Sequence, residues 1–356
     1  VTNKCSYRNL SEDKPRSAIE LLKEAEARKK KRTEEGDKFI QEKTTMTHPW
    51  KSLKIYFVGE LRSPFIKQDL DLLREDFLVM PFDLGRHAVS FKQIPGYLWS
   101  VLLKSYEVMT SDIIWIWFAD YPAIPFVICS KIFRKPVVVN IGGYEVIADP
   151  DIEYGNQIGF LRGAVSRWII RNSTVCLTMS NAYRDRIQQV VPGAAVSVIP
   201  GCIDTSLCEA PLLEKHGVVT AYCDYNKARI IKGISIFEAA TEGMDAKVIR
   251  NVPHDKLMKE FRKAKVYCQL SRTESFGVAL LEAMACGCVP VVSDRDALPE
   301  VIGICGIMVP YGDTHATRAG ILEASTTDAE QSRRRAAIFS KASRKRMLLD
   351  LIYSIV

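Results

Sequence analysis

The stretch Glu274-Ser-Phe-Gly-Val-Ala-Leu-Leu-Glu282-Ala-Met-Ala-Cys-Gly-Cys-Val-Pro290-Val291-Val292 limits the fold of this chain more than any other segment. The apolar run Val266 to Leu270 before it has the length of a buried strand, and Val278 to Ala285 repeats apolar residues at helical spacing. Ser275, Phe276 and Gly277 therefore fall where a strand hands over to a helix. The free N–H groups of such a helix start can receive a phosphate or sugar oxygen, and Gly277 lets a ligand approach the backbone. Glu274 stands at the mouth of the turn. Glu282 lies about two helical turns further on, near the same face.

An isolated Glu on a helix is usually a solvated surface charge. Glu282, however, is set between Leu281 and Ala283 in a nearly uncharged run, and a carboxylate buried in such surroundings needs a partner. A ligand with hydroxyl groups is an economical one: one carboxylate can hold sugar hydroxyls and the other a ribose.

These residues resemble the E-x7-E signature of the retaining, GT-B type glycosyltransferases of family 4. Gly287, Pro290-Val291-Val292, Leu298-Pro299-Glu300-Val301, Gly306 and Gly312-Asp313 follow in that family's order. The match is close over Lys265 to Asp313 and looser elsewhere. Val198 to Asp204 is similar to the family's interdomain turn, and Lys232-Gly233-Ile234 to the Lys-Gly that begins the first helix of its donor-binding domain. The resemblance implies an α/β fold of GT-B type, two Rossmann-like doubly wound domains facing across a cleft. It also implies a nucleoside diphosphate sugar as donor, UDP- or GDP-linked, with no further cofactor and no metal. The implied donor contacts are Glu274, Lys232 and Arg229 at the reacting end, with Glu282, Ser275, Phe276, Gly277 and Val278 around the nucleotide. The family usually carries an Arg six residues before the Lys of Lys-Gly. Here that position is Asn226, so Arg229 or Lys227 is expected to assist Lys232 in neutralising the diphosphate.

Hydrophobic patterning agrees with two sheets. Leu53 to Val58, Phe77 to Met80, Ile113 to Phe118 and Val137 to Val139 read as strands, with helices at Gln68 to Arg74 and Pro125 to Phe133. Strands alternating with helices imply a parallel, doubly wound sheet. The loops after its strands hold the acceptor candidates: Gly59 and Arg62 after the first, and Gly142, Gly143 and Glu145 after Val137 to Asn140. A tight turn needing glycine explains Gly142 and Gly143 equally well. In the resembling family this loop often reads His-Gly-x-Asp; Gly142 takes the His position and Glu145 the Asp position, so that His's acceptor contacts are not carried over. A second alternating unit runs from Val218 to Tyr222 through a Lys232 to Ala240 helix. Between Ala246 to Ile249 and Pro253 to Leu257 there is no room for the further strand and connector expected there.

The expected organisation is a charged helical extension at 1–48, an acceptor-binding domain at 49–200, a nucleotide-sugar domain at 201–335, and a final amphipathic helix at 336–356. The resemblance implies that this helix crosses back to the first domain, and a plain surface helix explains its pattern nearly as well. With 356 residues, 47% of them apolar, the chain can fill two cores. No run approaches the ~20 apolar residues of a membrane span, and the chain opens on Val-Thr-Asn-Lys with no signal core. The ten cysteines are scattered apart from Cys286-Gly-Cys288, which fits a reducing cytoplasm. The net charge of +7 is concentrated at Lys29 to Arg32, Arg333 to Arg335 and Lys341 to Arg346. Such runs are commonly solvated helix faces, and an excess of basic charge also suits peripheral contact with an anionic membrane. Nucleic acid is not expected, because no aromatic residues interleave the basic ones.

The expected activity is transfer of a sugar to a carbohydrate, lipid-linked or small-molecule acceptor. A sugar-nucleotide epimerase or phosphorylase of the same architecture, or a nucleotide-sugar-binding protein without turnover, would use the same residues.

Overall fold

Four consecutive side chains with no solvent exposure, Ile55, Tyr56, Phe57 and Val58, force Lys54–Gly59 (β1) into a strand covered on both faces. In the computed structural model, which describes residues 52–85, 104–209, 214–223, 225 and 227–356, this strand lies inside a parallel sheet. The order is β2-β1-β3-β4-β5-β6, with β2 at Leu78–Asp83, β3 at Ile113–Trp117, β4 at Val137–Asn140, β5 at Val175–Thr178 and β6 at Val196–Val198. The charged extension expected at 1–48, with its basic cluster Lys29 to Arg32, lies outside the described residues, and so does Asn226.

Helix placement follows from this order. Parallel crossovers are right-handed, and only the β1 to β2 step runs toward that edge. Its helix α1 (Pro64–Arg74) therefore covers one face. The opposite face receives α2 (Ser105–Thr110), α3 (Ile124–Ile132), α4 (Phe160–Asn172) and α5 (Asn181–Val190). The first helix starts four residues earlier than Gln68 because Pro64 suits its first turn.

A short helix α6 (Ser206–Glu209) leads to the second sheet. It has five strands among the described residues, all parallel, in the order β11-β10-β9-β7-β8. They are β7 His216–Tyr222, β8 Ala246–Arg250, β9 Ala264–Gln269, β10 Val289–Ser293 and β11 Ile307–Val309. A short helix α7 (Ala228–Ile231) precedes Lys232, and the helix expected over Lys232 to Ala240 is present as α8 (Ile234–Ala240), beginning two residues later. The break falls at Gly233, whose backbone lies against the Leu270 carbonyl. After β8 the chain passes through Asn251, Val252 and Pro253 directly into α9 (His254–Lys263). Thus β8 pairs straight onto β7, Val218 opposite Ala246 and Tyr222 opposite Arg250, and the sheet closes without the extra strand.

The remaining helices are α10 (Val278–Ala285), α11 (Leu298–Ile302), α12 (Thr314–Thr326), α13 (Glu330–Ala337) and α14 (Lys341–Ile355). Helix α14 returns to α1. Its buried Arg344 makes two 2.7 Å bonds to the Asp69 carboxylate and donates to the carbonyls of Ile199 and Pro200 at 2.8 and 2.7 Å. Lys345 pairs with Glu75 and Asp76 of the turn after α1. Arg333 reaches the Cys208 carbonyl, and Arg335 the carbonyls of Val301 and Glu300. The two C-terminal basic clusters thus turn several of their cations inward. Cys286 and Cys288 are buried beside β9 and β10, and burial pushes the Cys288 thiol up to about 12.

Removing one partner from a buried, fully bonded ion pair leaves the other charge uncompensated. Arg344→Met should therefore lower unfolding free energy by about 3–5 kcal/mol, read from urea titration. Arg344→Lys, which cannot reproduce the planar fork, should recover only part of it. An unchanged midpoint in Arg344→Met would remove this contact from the stabilising set.

Candidate active site

The loop Leu270–Gly277 leaves the carboxyl end of β9, where ligands of open parallel sheets bind. Its turn ends at Gly277, φ +95°, a conformation that a side chain would strain. No side chain caps α10 there, so the first N–H groups of that helix are left to other acceptors. Phe276 is buried, its ring 5.7 Å from Phe339 and pressed on Gly201. Only its backbone can serve a ligand. Ser275 and Val278 are half-buried beside it.

Glu274 is brought together with Lys232. The ammonium donates to the carboxylate at 2.5 Å, and Gln269 Nε2 donates to the same oxygen at 2.7 Å. Ser271 Oγ donates to it at 3.3 Å, and the Tyr267 hydroxyl donates to Gln269 Oε1 at 2.6 Å, fixing the amide. Burial works against the Lys232 ammonium, but the adjacent Glu274 carboxylate, together with Tyr225 and Cys223, outweighs it and holds the lysine pKa above its ordinary value. Sequence reading missed Gln269 and Tyr267. Their signal was a polar residue closing a strand that is otherwise buried.

Glu282 is largely covered, and burial raises its pKa, opposed by a 2.7 Å bond to the exposed His254 that opens α9. Arg229 is exposed, its guanidinium engaged with Glu238 at 2.8–2.9 Å. Lys227 reaches across to the carbonyls of Ile152 and Glu153. Both cations are engaged with protein partners, so either would have to exchange them to assist Lys232.

In the first sheet, Gly59 closes β1 in close contact with Ile66 of α1, and Arg62 follows on the surface. A Cβ on Gly142 would lie 2.4 Å from the Phe118 ring, and Gly143, φ +125°, faces Tyr183. The turn and close-approach explanation of both glycines thus holds. Glu145 is buried and accepts N–H groups from Ala119, Gly142 and Gly143 at 3.3, 3.2 and 2.8 Å. Burial raises its pKa against the pull of those bonds. Its carboxylate organises the loop from within.

Tyr183 links the two loops. It lies against Gly143, and its hydroxyl is 2.9 Å from Thr273 Oγ1. Thr273 donates to Asp296 at 2.5 Å, and the same carboxylate accepts the Glu274 N–H at 3.1 Å and pairs with Arg186. Arg272 bonds Asp149 and Asp151, and Glu300 accepts the first N–H groups of α5 from Asn181 and Ala182. None of these contacts was visible in sequence.

Residues 237–346 match the family Glycosyl transferases group 1. The group 1 segment includes Glu274 and Glu282 and ends in α14. A 77-residue stretch of the chain is 36% identical to O-antigen chain mannosyltransferase B of Escherichia coli, covering 22% of this chain and 20% of that protein. The chain thus matches about a fifth of the length of that relative. Among solved structures, sucrose-phosphate synthase from Thermosynechococcus elongatus superposes with a TM-score of 0.66 at 14% identity, over 85% of this chain and 98% of that one. Anabaena Alr3699/HepE in complex with UDP and glucose gives 0.66 at 15% identity, over 85% and 100%. A UDP-forming trehalose-phosphate synthase from Burkholderia xenovorans gives 0.62 at 12%, over 85% and 99%. The fold is that of the GT-B glycosyltransferases.

The Glu145 loop yields a direct test. Glu145→Gln keeps the shape but offers one acceptor oxygen and an NH₂ group where N–H donors converge. It should destabilise the protein by about 1–3 kcal/mol, measured by urea unfolding, and equal stability would show that the loop does not depend on the carboxylate.

Proposed function

We propose that this protein is a glycosyltransferase that moves a sugar from a nucleoside diphosphate sugar, UDP- or GDP-linked, to an acceptor held against the first sheet. The observation that carries the reading is the Lys232–Glu274–Gln269 constellation at the carboxyl end of β9, directly before the uncapped helix start at Gly277. A diphosphate needs fixed positive potential, and Lys232 with the α10 N–H groups supplies it where charge builds on the leaving group. Glu274, steadied by Gln269, would hold the donor sugar. Glu282 would take the ribose in exchange for His254. The complex of Alr3699/HepE with UDP and glucose supports a UDP-linked donor.

No carboxylate is assigned as a nucleophile. The diphosphate would lie on one face of the sugar and accept the proton of the incoming hydroxyl as the anomeric bond breaks. The acceptor, entering from the Gly142–Glu145 side, would meet that same face, giving retention of anomeric configuration.

Nucleoside diphosphates and their sugars should raise the apparent melting temperature of the native protein. Lys232→Ala should weaken diphosphate binding by roughly 1.5–3 kcal/mol, whereas Glu274→Ala should abolish turnover with the fold intact. Full turnover in Glu274→Ala, or undiminished affinity in Lys232→Ala, would place the chemistry elsewhere. Binding without turnover over a broad acceptor panel would favour a silent sugar-nucleotide receptor.

Anomeric proton couplings of the product provide the stereochemical test. An α-linked donor should give an α-linked product, and an inverted linkage would overturn the same-face mechanism.

A further inference from the structure

Charge is distributed one-sidedly over the outer helical layer of the first sheet. Residues 121–144 and 154–184 contain no Asp or Glu, while Lys131, Arg134 and Arg171 stand exposed within them. The same segments present large apolar side chains to solvent: Tyr121 is 43% exposed, Ile128 45%, Ile132 66%, Phe160 83%, Leu161 71% and Trp168 38%. Helical spacing aligns them, since Ile128 and Ile132 are one turn apart on α3, and Leu161 and Trp168 two turns apart on α4. Helices α3 and α4 touch each other, and both touch the turn that begins at Tyr121. The side chains therefore belong to one region.

Apolar exposure on this scale marks an interaction surface. Its composition identifies the partner. Aromatic and aliphatic bodies enter the boundary between lipid headgroups and acyl chains, and neighbouring Lys and Arg gain energy from anionic headgroups when no carboxylate opposes them. A two-fold contact with a second copy would instead set this predominantly basic surface, whose Asp120 is already paired with Arg162, against itself. The inward-turned Arg333, Arg335 and Arg344 are committed to internal carbonyls and Asp69, so the C-terminal clusters are less suited to a membrane than their sequence implies. No helix among the described residues is long and apolar enough to cross a bilayer.

We propose that the α3–α4 face, with Phe160 and Leu161 at its leading end, docks peripherally on an anionic lipid bilayer. That end adjoins the cleft. Arg162, next to Leu161, pairs with Asp120 after β3 and lies 5.1 Å over the Tyr144 ring, beside Gly143. A bilayer-borne acceptor would thus meet the Gly142–Glu145 loop, an extension that rests on the glycosyl-transfer reading; the docking itself does not.

Flotation of the full chain with phosphatidylcholine vesicles, with and without phosphatidylglycerol, tests the surface. The protein should float with the anionic vesicles and much less with the neutral ones. Phe160→Ser with Leu161→Ser, and separately Lys131→Glu with Arg171→Glu, should each lower the partition coefficient by about tenfold or more. A retained thermal shift with UDP or GDP would show that the variants are folded. Absent flotation, equal flotation with neutral vesicles, or anionic binding unaffected by either pair would overturn the proposal. So would a dimer in size-exclusion chromatography that dissociates in Phe160→Ser with Leu161→Ser. For the unsubstituted chain, absent vesicle binding with an intact nucleotide response refutes only the docking surface, whereas flotation without any nucleotide response refutes only the proposed donor site.

Discussion

One guanidinium ties the C-terminal helix to the first domain. Arg344 leaves the C-terminal helix, enters the first domain, and divides its donors between the Asp69 carboxylate and the carbonyls of Ile199 and Pro200. A buried ion pair alone is weak evidence for stability, because desolvating two charges offsets their attraction. Here the pair also satisfies two main-chain carbonyls at the passage between the domains. The bonds define the angle at which the chain crosses, and Ile203 continues that junction by donating to the Phe339 carbonyl just before α14. The approach of the Gly143 loop to the Glu274 loop depends on this junction and on Tyr183, which contacts both.

The part of the site legible in the sequence was local. A buried strand, a glycine and a helix with two carboxylates lie in one short segment, so pattern alone singled out Glu274, Gly277 and Glu282 as candidates. Lys232 was found through its Lys-Gly pair, and the structure brings it to Glu274 over 42 positions. What pattern could not show is how distant residues meet. Thr273 and Tyr183 are 90 positions apart, and Arg186 and Asp296 110. Nothing in the local composition around Asp296 signals that its carboxylate holds the Glu274 N–H. Arg344 was hidden for the opposite reason. It sits in a basic run that resembles a solvated helix face, and only burial separates it from its neighbours. The helix read over Lys232 to Ala240 begins two residues later, at Ile234, because Gly233 takes a left-handed conformation against Leu270, and that contact is tertiary.

The polar groups of the candidate site already have protein partners. Lys232 is paired with Glu274 and Arg229 with Glu238, and Glu282 is hydrogen-bonded to His254. These pairs differ in what an exchange of partner would cost. Arg229 and Glu238 are exposed, so their attraction is screened and worth little. The Lys232–Glu274 pair is mostly covered, with side-chain exposures of 21% and 12%, and separating it without replacement would leave two poorly solvated charges. A diphosphate sugar would supply replacements to both at once, phosphate oxygens to the lysine and hydroxyls to the carboxylate. A ligand carrying only one of these groups would satisfy one partner and strand the other. On the proposed reading, the pair would favour ligands in which phosphate and sugar are joined, through the cost of a mismatched exchange and not through contact strength alone.

The same reasoning separates the two halves of the cleft. On the second sheet, polar groups hold one another through side chains that can turn toward a ligand. On the first, Glu145 is tied to three main-chain N–H groups, and releasing it would dismantle the turn that carries Gly142 and Gly143. On the proposed reading, an acceptor would be recognised by surface, backbone and rim residues, since recruiting the loop's buried carboxylate would break its main-chain bonds. A site with an adaptable charged half and a rigid, largely uncharged half suits a small, highly charged donor opposite a bulkier acceptor. The rim next to that rigid half is where Tyr121, Phe160 and Leu161 are exposed, so specificity for the acceptor is expected to depend on how it is delivered to the cleft as well as on what the cleft can bind.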